Sequence, residues 1–163
     1  MIGRLILLIF ITLVELACYW QIGKDQSQTL QVTKCLFFVS ISQMCMYEFT
    51  TALEFQKDRA VFIREYMNNM YGKKVYYISK LALELPLLLL FPVIENVVTF
   101  WGIGYRDGAF FDFLLVMMLT AQCGTAMGYF ISCLFDNMMV ATVMTVYFVM
   151  PAILFGGLVR NLG

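Results

Sequence analysis

The sequence predicts an all-α, polytopic transmembrane domain, and three observations carry that prediction. Of 163 residues, 61% are hydrophobic and only 13% charged, with mean hydropathy +0.80. A soluble fold of this size and composition would expose large contiguous apolar patches. The apolar residues fall into five runs, each close to the roughly 20 residues that cross about 30 Å of hydrocarbon. The charges, which sum to zero, cluster between the runs instead of spreading evenly.

The first run, Ile2 to Ile22, lacks a small-residue cleavage site and is followed by further spans, so it reads as a membrane helix and not a signal peptide. The second, Cys35 to Phe55, contains Glu48. After it, Gln56 to Tyr71 changes character: Lys57, Asp58, Arg59, Arg64 and Glu65 are interleaved with Ile63, Tyr66, Met67, Met70 and Tyr71. Those apolar positions recur at i, i+3, i+4, i+7 and i+8, the stripe of an amphipathic helix. Such a helix lies along a membrane surface or docks on a partner.

The third run, Val75 to Trp101, carries Glu84, Glu95, Pro86 and Pro92. Glu84 sits one turn after Lys80, the spacing of an i, i+4 ion pair, whereas Glu95 is deeper and has no cation nearby in sequence. Intramembrane carboxylates are expensive and face protein or water, which singles out Glu15, Glu48 and Glu95. The fourth run, Ala109 to Phe135, places Ala121, Gly124, Thr125 and Gly128 on neighbouring faces, with Gly124 and Gly128 forming G-x-x-x-G. Small faces let helices approach closely, either between two copies or, the more general use, within one chain. The fifth, Met138 to Val159, contains Pro151, then Gly156 and Gly157, which predict a bent end.

Several function classes are excluded or disfavoured. No histidine is present, so the common zinc sets and the Ser-His and Cys-His catalytic arrangements cannot be built from this chain. Cys18, Cys35, Cys45, Cys123 and Cys133 lie in or beside apolar runs without a C-x-x-C pair, which reads as packing and not a disulfide framework. There is no G-x-x-x-x-G-K-[ST] and no other glycine-rich phosphate loop, so ATP is not bound in the P-loop manner by this chain. Zero net charge gives no sign of a nucleic-acid partner. A channel or secondary carrier using Glu15, Glu48 and Glu95 remains an alternative.

Two stretches carry a family resemblance. F-Q-K-D-R-A-V-F-I-R-E-Y-M-N-N-M-Y, from Phe55, followed by Y-Y-I-S-K-L-A-L-E-L-P, resembles the cytoplasmic connecting segment and next span of the G-subfamily ABC half-transporters, the white and breast-cancer-resistance types. The order of later pieces is similar too, from C-Y-W-Q-I-G-K-D-Q at Cys18 through A-Q-C-G-T-A-M-G to F-G-G-L-V-R-N at the end. The resemblance implies an ABC-2 type membrane domain over 1–163, five of an expected six spans, with a nucleotide-binding domain and a last span lying outside this sequence. It further implies an exporter of a lipid, sterol or other hydrophobic small molecule in the plasma membrane or an organelle membrane. The partners would be a second half-transporter protomer and the nucleotide-binding domain, which would hold ATP and Mg; this chain would carry no cofactor and no catalytic site.

Carried over by resemblance, the substrate cavity would be lined by Phe38, Ser42 and Cys45 on the second span and Val146, Val149, Met150 and Ile153 on the fifth. Leu158 and Val159 would form an external gate. Arg59, Arg64 and Glu65 would face the nucleotide-binding domain.

Lysine and arginine favour the cytoplasmic side. Lys57, Arg59, Arg64, Lys73, Lys74 and Lys80 cluster at one end of the second and third spans, against Arg106 alone in the next loop. With Asn68→Cys or Gly108→Cys in a background lacking the native cysteines, an impermeant thiol reagent is expected to label position 108 in intact cells and position 68 only after permeabilisation. The reverse pattern would overturn the orientation.

Overall fold

A computed structural model describes residues 2–20, 29–68, 70–105 and 107–155. Among these the protein forms five α-helices and no strand: α1 (Ile2–Tyr19), α2 (Thr29–Met67), α3 (Lys73–Ile103), α4 (Phe110–Leu134) and α5 (Met138–Phe155), with one 3-10 turn at Asp107–Ala109. The helix limits follow the apolar runs to within a few residues in every case but one. That exception is α2, which does not stop at Phe55. Its 39 residues run unbroken through the charged segment, about 58 Å of helix. The segment is therefore a continuation of the second span and not a separate surface helix. Neither Pro nor Gly interrupts Thr29–Met67, so the backbone ladder continues although the side chains change from apolar to charged.

α2 is the axis of the bundle, and α4 is its most extensive neighbour. Their contact depends on glycine: a Cβ at Gly128 would lie 2.5 Å from the Glu48 carbonyl oxygen, and one at Gly124 2.6 Å from that of Met44. The G-x-x-x-G face thus seats α4 on the α2 backbone of the same chain. Below the glycines two side chains stitch the seam reciprocally. Ser132 Oγ donates to the Ala52 carbonyl at 2.9 Å, and Gln56 Nε2 donates to the Ser132 and Phe135 carbonyls at 3.1 and 2.6 Å. Gln56 thereby satisfies carbonyls that the end of α4 leaves without helical partners.

At the opposite end Cys35, Val39, Phe100, Ile103, Phe113 and Met117 form an apolar core from α2, α3 and α4. α3 stops there because Gly104 adopts φ 79°, ψ 42°, a left-handed conformation that returns its N–H to the Phe100 carbonyl. Tyr105 then folds back on Phe100 and Phe113, with ring centroids 5.7 and 5.2 Å away. α5 starts with Asn137, whose Oδ1 accepts the Met139 N–H at 3.0 Å, a side-chain N-cap.

α3 remains helical through Pro86 and Pro92, and α5 through Pro151. Pro92 lacks the N–H that would bond the Leu88 carbonyl one turn earlier. Gln122 of α4 supplies the missing donor, its Nε2 lying 3.0 Å from that oxygen.

Replacing Gly128 by Ala puts a methyl group against α2 backbone, which cannot rotate away as a side chain could. The substitution is expected to destabilise the bundle by about 1–3 kcal/mol, measured by denaturant titration in detergent micelles. Unchanged stability would show that the seam tolerates separation.

Candidate functional site

The surface is apolar, and beside its apolar core the interior holds many polar side chains, which a soluble protein would place outside. Phe111, Leu83, Tyr147 and Met139 are among many large hydrophobic side chains left exposed, while Glu15, Gln43, Glu48, Glu95, Asn96 and Thr99 are buried. α3 and α4 are long and apolar enough to cross a membrane; the apolar stretches in α1 and α5, residues 6–19 and 138–154, are shorter. Two of the buried carboxylates face hydroxyl donors on a neighbouring helix. Tyr47 Oη donates to Glu95 Oε2 at 3.0 Å, and Ser42 Oγ donates to Glu15 Oε1. Glu48 is fully buried against the close-packed side of α2, and neither of its carboxylate oxygens has a hydrogen-bond partner among the described residues. α2 thus supplies the hydroxyls for two of the three carboxylates and carries the third itself.

Glu84 is held as its spacing predicts: Lys80 Nζ lies 3.5 Å from its Oε1, and Tyr129 of α4 donates to its other oxygen. Lys80 also reaches across to Asp58 of α2 at 2.7 Å, a cross-helix contact absent from sequence periodicity. Near the α2–α3 turn, Phe62 stacks on Tyr66 and Tyr76, with centroids 5.7 and 4.4 Å away, and Tyr71 lies parallel to Tyr76 at 5.9 Å. Tyr71 donates its hydroxyl hydrogen to Glu65, and the carboxylate accepting it pushes the phenol up to about 12. The amphipathic stripe splits as a result. Tyr66 and Tyr71 are held in this aromatic cluster, whereas Ile63, Met67 and Met70 are exposed.

The expected coupling residues have different surroundings. Arg59 is ion-paired with Asp136 in the α4–α5 turn, Glu65 accepts from Tyr71, and Arg64 is exposed. Arg59 therefore ties the far end of α2 to the end of α4. Of the expected cavity residues, Phe38 packs on Tyr19 at 5.6 Å, while Ser42 and Cys45 line a groove of about 800 Å³ formed by α1, α2 and α3. On α5, Val149 is buried, and Val146, Met150 and Ile153 are exposed; none of the four lines that groove. The α2 and α5 sets do not share this pocket within one chain. Leu158 and Val159, with Gly156 and Gly157, lie outside the described residues. All five cysteines are free, with Cys35 in the core and Cys18, Cys123 and Cys133 on the outer surface, so packing accounts for only part of the set.

Polar seams inside an apolar exterior, organised around one long helix, define a polytopic membrane domain. The chain belongs to the ABC-2 type transporter family, whose model it matches over residues 1–163. Protein white of Ceratitis capitata is 29% identical over 146 residues, which cover 87% of this chain and 22% of that protein. The broad substrate specificity ATP-binding cassette transporter ABCG2 of Bos taurus is 28% identical over 165 residues, covering 99% of this chain and 25% of the relative. ABC transporter G family member 18 of Arabidopsis thaliana is 31% identical over 109 residues, 66% of this chain and 15% of the relative. The chain thus spans a quarter or less of the length of these relatives.

Arg59 is partly exposed and Asp136 largely so, and the pair is worth up to about 1 kcal/mol. A double-mutant cycle with Arg59→Ala and Asp136→Ala, read by thermal unfolding in detergent, is expected to show positive coupling of that size. Strict additivity of the two single losses would show that the ion pair contributes nothing.

Proposed function

We propose that the chain is the membrane domain of an ATP-driven exporter of the ABCG type, moving a hydrophobic small molecule such as a lipid or sterol. Two such domains pair, and ATP with Mg is bound and hydrolysed on a separate nucleotide-binding domain that contacts the end of α2 on the cytoplasmic side. Family membership supports the transport class. The observation that carries the mechanism is the continuity of α2 from the buried polar seam to its charged end.

A helix that enters the bundle at Cys35 and ends at Met67 cannot be displaced at its tip without moving the residues packed on α4 and α1. Arg64 and Glu65 are proposed to receive the nucleotide-binding domain, with Arg59 acting through Asp136. Phe38, Ser42 and Cys45 of α2, with Val146, Val149, Met150 and Ile153 of α5, are proposed to line the path between paired domains. Leu158 and Val159 are proposed to close it externally. Because a central path would form between two copies, the two sets need not meet inside one.

Three buried carboxylates keep ion conduction as a second reading, favoured by Glu48, whose oxygens lack a hydrogen-bond partner among the described residues. The full-length protein in sealed vesicles distinguishes the two. The exporter reading expects ATP-dependent movement of a fluorescent hydrophobic substrate, while ion flux independent of ATP would favour the alternative. Within the exporter reading, Glu65→Ala is expected to lower transport per ATP hydrolysed without loss of membrane insertion, since a single half-buried contact near the surface contributes little to folding. An unchanged ratio would remove Glu65 from coupling.

A further inference from the structure

α2 meets its two long neighbours in different ways. Against α4 it packs backbone on backbone, where even a methyl group does not fit. Against α3 the backbones hardly approach, and long side chains span the gap instead: Tyr47 to Glu95, Asp58 to Lys80 and Phe62 to Tyr76. Beside Tyr47 and Glu95, and walled also by Leu8, Met46 and Thr50, lies a cavity of about 10 Å³, the room that one water molecule needs.

The polar atoms at this level are left without protein partners. Gln43, one turn before Tyr47, turns its amide towards the same Glu95 carboxylate without closing a hydrogen bond, and neither its Nε2 nor its Oε1 is bonded among the described residues. Asn96 Nδ2 and Thr99 Oγ1 are unbonded in the same sense. All three side chains are almost fully buried, sealed from lipid and bulk water alike. Because α2 and α3 run antiparallel, one turn along from the Tyr47–Glu95 bond brings Gln43 level with Thr99. Unpaired polar groups are costly in a membrane interior, so these atoms require a ligand. They are of mixed kind: Gln43 Nε2 and Asn96 Nδ2 only donate, Gln43 Oε1 only accepts, and Thr99 Oγ1 does either. A cation would serve the oxygens and be repelled by the N–H groups. Water donates and accepts, and serves all of them.

We propose that the α2–α3 seam holds ordered water, one molecule in the cavity at Tyr47, Thr50 and Glu95 and another between Gln43 and Thr99. Bridges of this kind let α3 shift against α2 without losing hydrogen bonds, which the glycine seam does not allow. The waters belong to the bundle itself and do not depend on what the protein moves.

The test is X-ray radiolytic footprinting of the full-length protein in vesicles, read by peptide mass spectrometry. Radiation makes hydroxyl radicals from bound water in place, so a reactive side chain beside such water is oxidised even when buried. Tyr47 is expected to be oxidised and to stay so when a radical scavenger is added to the bulk. The exposed Met67 is expected to be protected by the scavenger, and the buried Phe100 and Met117 of the apolar core to remain unoxidised throughout. Thr50→Val removes a polar wall of the cavity and is expected to lower Tyr47 oxidation about fivefold, the scale of one lost hydrogen bond. Continued protection of Phe100 and Met117 in that variant shows that the bundle has kept its fold. Gln43→Leu is expected to lower the unfolding temperature in detergent, because it strands the water and Thr99; a dry seam predicts a rise, since two unsatisfied atoms would be removed. A rise or no change overturns the water at Gln43. Tyr47 as unreactive as Met117 means a dry seam, Tyr47 quenched together with Met67 means a channel open to bulk, and Tyr47 oxidation that falls when sodium replaces choline means a cation in the cavity. Each of these overturns the proposal.

Discussion

Everything in this bundle is positioned by the approach of α4 to the backbone of α2. In lipid there is no hydrophobic drive to hold helices together, so close packing and hydrogen bonds must do it. Gly124 and Gly128 bring the two backbones together over the Met44 and Glu48 carbonyls, and Ser132 and Gln56 lock the register one and two turns further on. With α4 fixed, Gln122 reaches α3 at the gap left by Pro92, and Tyr129 reaches Glu84. The seam therefore places α3 as well as α4. Arg59 and Asp136 extend the same line to the start of α5.

Four buried polar residues of this interior, Glu15, Gln56, Glu95 and Ser132, bond between helices, whereas Thr12, Thr125 and Thr145 return their hydroxyls to their own helix. Glu15 with Ser42 joins α1 to α2, Glu95 with Tyr47 joins α3 to α2, and Gln122 joins α4 to α3. Each pairs a group that lipid could not satisfy with a donor on a neighbour, so a helix that moved away would expose both partners to hydrocarbon. Glu48 is buried beside the glycine seam with its carboxylate unbonded among the described residues, as are the hydroxyls of Thr51 and Thr99.

The sequence made the helices legible because apolar run length is a direct measure of membrane crossing, and four of the five follow those runs closely. It also placed Glu84 beside Lys80 and gave the glycine pair a packing role. The boundary at Phe55 was misleading: hydropathy reports the surroundings of side chains, whereas helix continuity depends on an uninterrupted backbone, and nothing in F-Q-K-D breaks one. The cross-helix partners were invisible for a different reason. Asp58 and Lys80 are 22 positions apart, Gln122 and Leu88 34 apart, and neither spacing has a local signature. A proline such as Pro92 inside a span did announce that a carbonyl one turn earlier needed a donor, although only the fold identifies Gln122 as its source.

The unbroken α2 has a mechanical consequence. Between Glu48, where the helix is clamped by glycine, and Met67 at its tip there is about 28 Å of helix, so each degree of tilt about the clamp swings the tip by about 0.5 Å. The shorter arm, from Glu48 back to Cys35, moves about two-thirds as far in the opposite sense. The aromatic cluster of Phe62, Tyr66, Tyr71 and Tyr76 ties the long arm to the start of α3, so that such a swing carries two helices and not one. A clamp nearer the apolar end gives the charged end leverage: displacements there arrive at Cys35 reduced in amplitude and increased in force.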